Sequence, residues 1–140
     1  MTKHEILEDL AHQDNISIDN WTVPFAKATI IAYNGTYGIV IDLAQVSSAR
    51  EETMILAHEL GHFVTGTVYR EKSRLHNFGK SERRAAEWAI NFLVDFEQLK
   101  EYVSEGHDVH FVAEMMGLHP EVIARAIQMK HDEWVTDSEL

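Results

Sequence analysis

The apolar positions in the first half of the chain change from a helical spacing to a strand spacing. Thr2 and Glu5 form a capping-box pair, which predicts a helix through about residue 13 with apolar residues three and four apart. Residues 26–33 and 37–43 are rich in β-branched and aromatic side chains and flank an Asn-Gly pair at 34–35. This pattern predicts two strands joined in a hairpin, and therefore a small antiparallel sheet.

A second helix is predicted after the hairpin. Ser48 followed by Glu51 is another capping-box pair, so the helix is expected to begin near Ala49, and Gly66 is a suitable residue to end it. Apolar residues occur on nearly every side of this helix, which indicates a buried central element.

The second half of the chain reads as helical. Residues 81–99 form a strongly helical stretch, with Ser81 as its candidate N-cap and Glu82 in its first turn. Near the C-terminus a helix, a turn at Gly117 and a second helix with Pro120 at its first position are expected. This second helix lacks a basic face toward its start, so we interpret the pair as a packing or partner-docking module.

The amino-acid composition and net charge exclude several classes of protein. The 140 residues are 45% hydrophobic and contain no cysteine, which predicts a single domain over 1–140 without disulfides. The charged N-terminal residues do not form a secretory signal and no apolar run reaches 18 residues, so we expect a cytoplasmic protein that does not use a membrane. The formal net charge of −11 disfavours direct nucleic-acid binding and favours a basic protein partner.

Residues 58–62 carry the strongest chemical signal, the sequence His-Glu-Leu-Gly-His. On a helix, His58 and His62 lie one turn apart on the same face and can bind one metal ion, while Glu59 flanks the same point. Zinc held by three protein ligands lowers the pKa of its water to about 7, and a neighbouring carboxylate can accept the proton. The motif predicts zinc as cofactor and metal-assisted hydrolysis of an amide.

A third zinc ligand has to come from another element, and Glu82 is the best candidate. Ala85, Ala86 and Ala89 lie on the same predicted helix face as Glu82, and small side chains there permit close approach to the His58/His62 helix. Glu87 is the rival ligand, although it lies on a different side of the helix. The alternative role of Glu82 is a favourable negative charge at a helix start.

The combination of HELGH with E-R-R-A-A-E-W-A some twenty residues later resembles the ImmA/IrrE family of metallo-endopeptidases, especially its short phage and mobile-element members. The resemblance implies an α+β fold, with the small sheet or hairpin packed on a mostly helical, zincin-like domain that ends in a helical pair. It also implies a gluzincin-like site in which His58, His62 and Glu82 bind zinc and Glu59 is the general base. Some members cleave a helix-turn-helix repressor encoded beside them, so the implied activity is endopeptidase cleavage of such a repressor, relieving repression.

One position departs from the family pattern. Ala86 stands where Asp or Asn is usual four residues after the ligand glutamate, and loss of such hydrogen-bonded support typically weakens metal affinity or activity 10- to 100-fold. Two alternatives therefore stay open: a catalytically weak or inactive regulator that binds a repressor stoichiometrically, and a metal-stabilised structural domain. In the polar connection 67–80, His76 and Tyr69 are the candidate donors to the oxyanion.

Overall fold

The computed structural model describes residues 1–68 and 78–139, which form two compact units, 1–89 and 90–140. The elements of the first unit are α1 (Lys3–Gln13), β1 (Ile16–Asn20), β2 (Ala28–Tyr33), β3 (Thr36–Ile41), a 3-10 turn (Leu43–Gln45) and α2 (Ala49–Val64). Helix α3 (Phe78–Leu93) begins in the first unit and ends in the second. The remaining helices are α4 (Phe96–Ser104), α5 (Val109–Met116) and α6 (Pro120–Glu139). The prediction of one domain over 1–140 stays a prediction.

The sheet contains the predicted hairpin and one further strand. Its order is β1-β3-β2, with β2 antiparallel and β1 parallel to β3. Asn34 and Gly35 adopt φ values of 50° and 77°, the left-handed conformations that a two-residue hairpin turn requires. The α+β fold class is confirmed. The sheet is mixed rather than purely antiparallel, because β1, a strand that the sequence did not predict, pairs parallel to β3.

The first unit has a continuous apolar core formed by α1, the sheet and α2. Its largest fully buried side chains are Leu7, Ile16, Ile39, Leu56 and Leu60. The capping box of α1 is present.

At the start of α2 the Ser48 side chain accepts a hydrogen bond from the Glu51 N–H. The Glu51 carboxylate instead accepts from the Ser47 N–H at 3.1 Å and pairs with Lys27 at 3.3 Å. The predicted start of α2 is therefore confirmed, while the carboxylate of its capping pair has other partners.

The predicted helix 81–99 is in fact two helices. Ser81 is not an N-cap, because α3 already begins at Phe78 and the Ser81 residue is buried within it. Asp95 separates the two helices, because its carboxylate accepts hydrogen bonds from the N–H groups of Glu97 and Gln98 and so caps α4. Glu82 is consequently the fifth residue of α3, which argues against a role as a charge in the first turn.

The second unit contains the predicted C-terminal helical pair. Gly117 ends α5 with φ 68°, and Pro120 opens α6, so this prediction is confirmed. Helices α5 and α6 bury Val112, Ala113, Val122, Ile123 and Ala126. Residues 90–140 carry eleven acidic and three basic side chains, a formal charge of −8. Within residues 1–68 and 78–139, no helix combines the length and the hydropathy that a transmembrane span requires.

Candidate metal centre

Helix α2 places the two motif histidines next to each other. Their ring centroids are 5.0 Å apart, and the ring planes are inclined by 82°. The His62 side chain is almost fully buried, with 3% of its surface exposed, whereas the His58 side chain is 25% exposed. The pair therefore consists of one ring anchored in the interior and one ring that reaches solvent.

Glu82 of α3 joins these two rings. Its Oε2 lies 2.7 Å from Nε2 of His58, and its Oε1 lies 3.0 Å from Nε2 of His62. Among the described residues these three form the one group of three or more His, Cys, Asp or Glu side chains whose ligand atoms all lie within 4.8 Å of each other. The rival candidate, Glu87, is exposed and does not belong to this group.

A close approach of the two helices brings Glu82 into position. A Cβ atom built on Gly61 of α2 would lie 2.6 Å from the carbonyl oxygen of Ala85 in α3. Ala85 and Ala89 are buried on the face of α3 that also carries Glu82. The prediction that small side chains would permit this approach is confirmed, and Gly61 supplies the matching small residue on α2.

Glu59 of α2 lies beside His58 and His62 and next to the edge strand β2. Burial raises the pKa of its carboxyl group, although the positive charges of His58 and His62 oppose the change. The backbone N–H of Ile30 in β2 donates a hydrogen bond to this carboxylate. Glu59 is therefore held next to strand β2 and beside both histidines, with a carboxyl pKa above its ordinary value.

His62 is supported on both sides of its ring. Burial disfavours its charged form, but the hydrogen bond to Glu82 and the charges of Glu82 and Glu59 outweigh this and raise its pKa. Its Nδ1 lies 3.2 Å from the carbonyl oxygen and 3.1 Å from the hydroxyl of Thr67. Thr67 is a site residue that the sequence did not predict, since its only signal is its position one residue after a helix-ending glycine. Tyr69 and His76, the candidate oxyanion donors, lie outside the described residues.

The donor set fits a zinc ion. Two imidazole nitrogens and one carboxylate are the ligands that hydrolytic zinc sites commonly use, and such sites keep a further position for water or substrate. The three side chains come from two helices in close contact, and His62 is oriented by a hydrogen bond from its other nitrogen, as metal-binding histidines usually are.

The α+β fold, with two histidines and a glutamate in the HExxH...E arrangement, is consistent with a metallopeptidase. Residues 6–128 match the sequence model of the IrrE N-terminal-like domain, peptidase family M78. The match covers most of the chain, and the chain therefore belongs to this metallopeptidase family. Among curated proteins and among solved structures, none matches the chain significantly.

Proposed function

We propose that the protein is a zinc-dependent endopeptidase that hydrolyses a peptide bond in a regulatory protein. The observation that carries this proposal is the group formed by His58, His62 and Glu82 in a chain of a metallopeptidase family. These three side chains would hold the ion, which is proposed to be zinc because of the nitrogen and carboxylate donors.

The proposed chemistry assigns proton transfer to Glu59. When bound, zinc supplies Lewis-acid chemistry that lowers the pKa of water and polarises the scissile carbonyl group. The Glu59 carboxylate accepts a proton from the attacking water and returns it to the amide nitrogen as the C–N bond breaks. His62, buried and hydrogen-bonded, provides the rigid side of the site.

Strand β2 is the proposed binding edge for an extended substrate. It is an edge strand of the sheet. Just before β2, the Asp42 N–H donates to the Lys27 carbonyl oxygen at 2.8 Å, so residues 27 and 42 form a hydrogen-bonded pair. Since antiparallel pairing alternates, the N–H groups of residues 28, 30 and 32 point away from β3. The outward-pointing N–H of Ile30 is the group that donates to the Glu59 carboxylate. A peptide that adds to this edge would therefore lie next to the general base.

The proposed substrate is a helix-turn-helix repressor encoded by the same mobile element, which makes the protein an anti-repressor. DNA-binding proteins present basic surfaces, and the formal charge of −11 would attract such a partner. A cytoplasmic location, with no direct contact to nucleic acid or membrane, is part of the same proposal.

Glu59→Gln is the variant that tests the activity. We expect it to bind zinc as the parent does but to cleave the adjacent repressor at least about 100-fold more slowly, because the amide cannot accept the proton. Cleavage is followed by mass spectrometry of the repressor, and bound zinc by elemental analysis. His62→Ala and Glu82→Ala are the matched controls, which should lose most of the zinc. Undiminished cleavage by Glu59→Gln would refute the proposed role.

The second candidate function is stoichiometric binding of the repressor without cleavage. Ala86 favours it, because this side chain cannot donate or accept the hydrogen bond that supports a metal ligand. Derepression by Glu59→Gln at equal protein levels would support this candidate. A closed structural zinc site, in contrast, requires a fourth protein ligand, and the group found in the described residues contains three.

A further inference from the structure

The turn that ends α2 returns the chain to His62. The Thr67 N–H donates to the His62 carbonyl oxygen at 2.7 Å, and the Gly66 N–H donates to the Phe63 carbonyl oxygen at 3.1 Å. These two bonds, with Gly66 at φ 69°, define a Schellman motif. The motif fixes Thr67 beside the imidazole of His62.

A directed series of hydrogen bonds follows from this placement. The Thr65 hydroxyl donates to the Gly61 carbonyl oxygen at 2.8 Å, so in its 2.8 Å contact with the Thr67 hydroxyl it is the acceptor. The Thr67 hydroxyl donates its one hydrogen there, or to the His62 carbonyl oxygen at 3.4 Å. Either way, the Thr67 hydroxyl must accept in its contact with Nδ1 of His62.

The same series fixes where His62 carries its proton. The Thr67 carbonyl oxygen, 3.2 Å from Nδ1, can only accept, so both Thr67 oxygens require a hydrogen on Nδ1. The hydrogen that Nε2 donates to Glu82 at 3.0 Å is then the one that a metal ion would displace, and the Nε2 lone pair would become the metal ligand. Ala86 has no polar side-chain atom with which to provide such support from α3.

We propose that Thr67 is a positioning residue of the metal centre: it holds the buried His62 in the ring orientation and tautomer whose Nε2 binds the ion. This inference rests on the proposed metal site. Thr65 acts one step further away, because it directs the Thr67 hydrogen away from the ring. The sequence Thr65-Gly66-Thr67 is therefore a support for the metal centre as well as a helix stop.

Thr67→Val tests the proposal, because it removes the hydroxyl and keeps the side-chain volume. The backbone carbonyl still accepts from Nδ1, so we expect the lower end of the usual effect of losing such support, about tenfold weaker zinc binding. Thr67→Ser retains the hydroxyl and should bind zinc within about twofold of the parent. Affinity is measured by competition with a chromophoric chelator, with zinc as the only added ligand.

A second readout separates positioning from general stability. In the zinc-loaded parent, the Nδ1 hydrogen of His62 should give an NMR signal protected from solvent exchange, and in Thr67→Val this signal should exchange faster. Thr53→Val is the matched control, since Thr53 also lies on α2 and its hydroxyl donates to the Ala49 carbonyl oxygen. We expect this control to leave zinc affinity unchanged.

The outcomes distinguish the role of Thr67 from the existence of the metal site. Zinc affinity and Nδ1–H exchange in Thr67→Val equal to those of the parent would overturn the role of Thr67 while leaving the metal site intact. Equal losses in Thr67→Val and Thr53→Val would also overturn it, because the effect would then be general. A parent chain that binds no added zinc would overturn the metal site and this inference with it.

Discussion

Gly61→Ala tests the helix contact that positions Glu82, and two physical effects predict opposite results for it. Alanine is favoured over glycine inside a helix by about 1 kcal/mol, so the sequence alone predicts stabilisation. In the structure, however, the new Cβ would lie 2.6 Å from the Ala85 carbonyl oxygen and 3.2 Å from its C and Cα atoms. Ordinary contact begins near 3.4 Å, and these neighbours are backbone atoms, which cannot rotate away.

The helices must therefore separate by several tenths of an ångström. Overpacking of this kind costs about 1–3 kcal/mol, which exceeds the gain in helix propensity, so we expect net destabilisation of up to about 2 kcal/mol. Glu82 lies one helical turn before Ala85 and should move with it. We therefore also expect zinc affinity to fall at least about tenfold, because metal ligands tolerate little displacement.

The assay is urea unfolding combined with zinc competition on the same preparations. Gly79→Ala is the matched control, because Gly79 also lies in a helix and a Cβ there would meet nothing within 4 Å. This control should gain between zero and about 1 kcal/mol and bind zinc unchanged. If Gly61→Ala were more stable than the parent and kept its zinc affinity, the reasoning from the helix contact would be refuted.

Two further predictions concern local hydrogen bonds. Ser48→Ala removes the N-cap of α2 and should lower the free energy of unfolding by about 1 kcal/mol in urea, whereas Ser47→Ala, which keeps the backbone N–H that bonds Glu51, should change little. The Gln45 side chain and the Val23 N–H donate to Asp42 and hold the pKa of this carboxyl below its ordinary 3.8. Its stabilising contribution is therefore present at neutral pH and lost as the pH falls below 3.8. The difference in unfolding free energy between parent and Asp42→Asn should shrink over that range, and a pH-independent difference would contradict it.

The predictable features were those encoded within a few neighbouring residues. His58 and His62 are brought together by helix geometry alone, and Asn34-Gly35 favours its turn through backbone conformation. The face of α3 that carries Glu82 followed from the spacing of its alanines.

The features that were missed depend on partners distant in sequence or on cap geometry. β1 pairs in parallel with β3, about twenty residues away, and a short stretch of sequence does not indicate which distant strand it will pair with. The break before α4 depends on the Asp95 side chain, which accepts hydrogen bonds from two backbone N–H groups. The residues around Asp95 favour a helix, so the sequence did not indicate this break. The support of His62 by Thr67 follows from the turn at Gly66, whose course a helix-stop signal does not specify.

The order of strands also bears on how the molecule assembles. The β2–β3 hairpin closes through a two-residue turn and can form within microseconds, whereas the parallel partner β1 must wait for a longer loop to close. Strand β2, which contacts Glu59, thus belongs to the pair of strands that is joined by the shortest loop. Substitutions at Asn34 or Gly35 should consequently slow folding more than equally destabilising substitutions in β1.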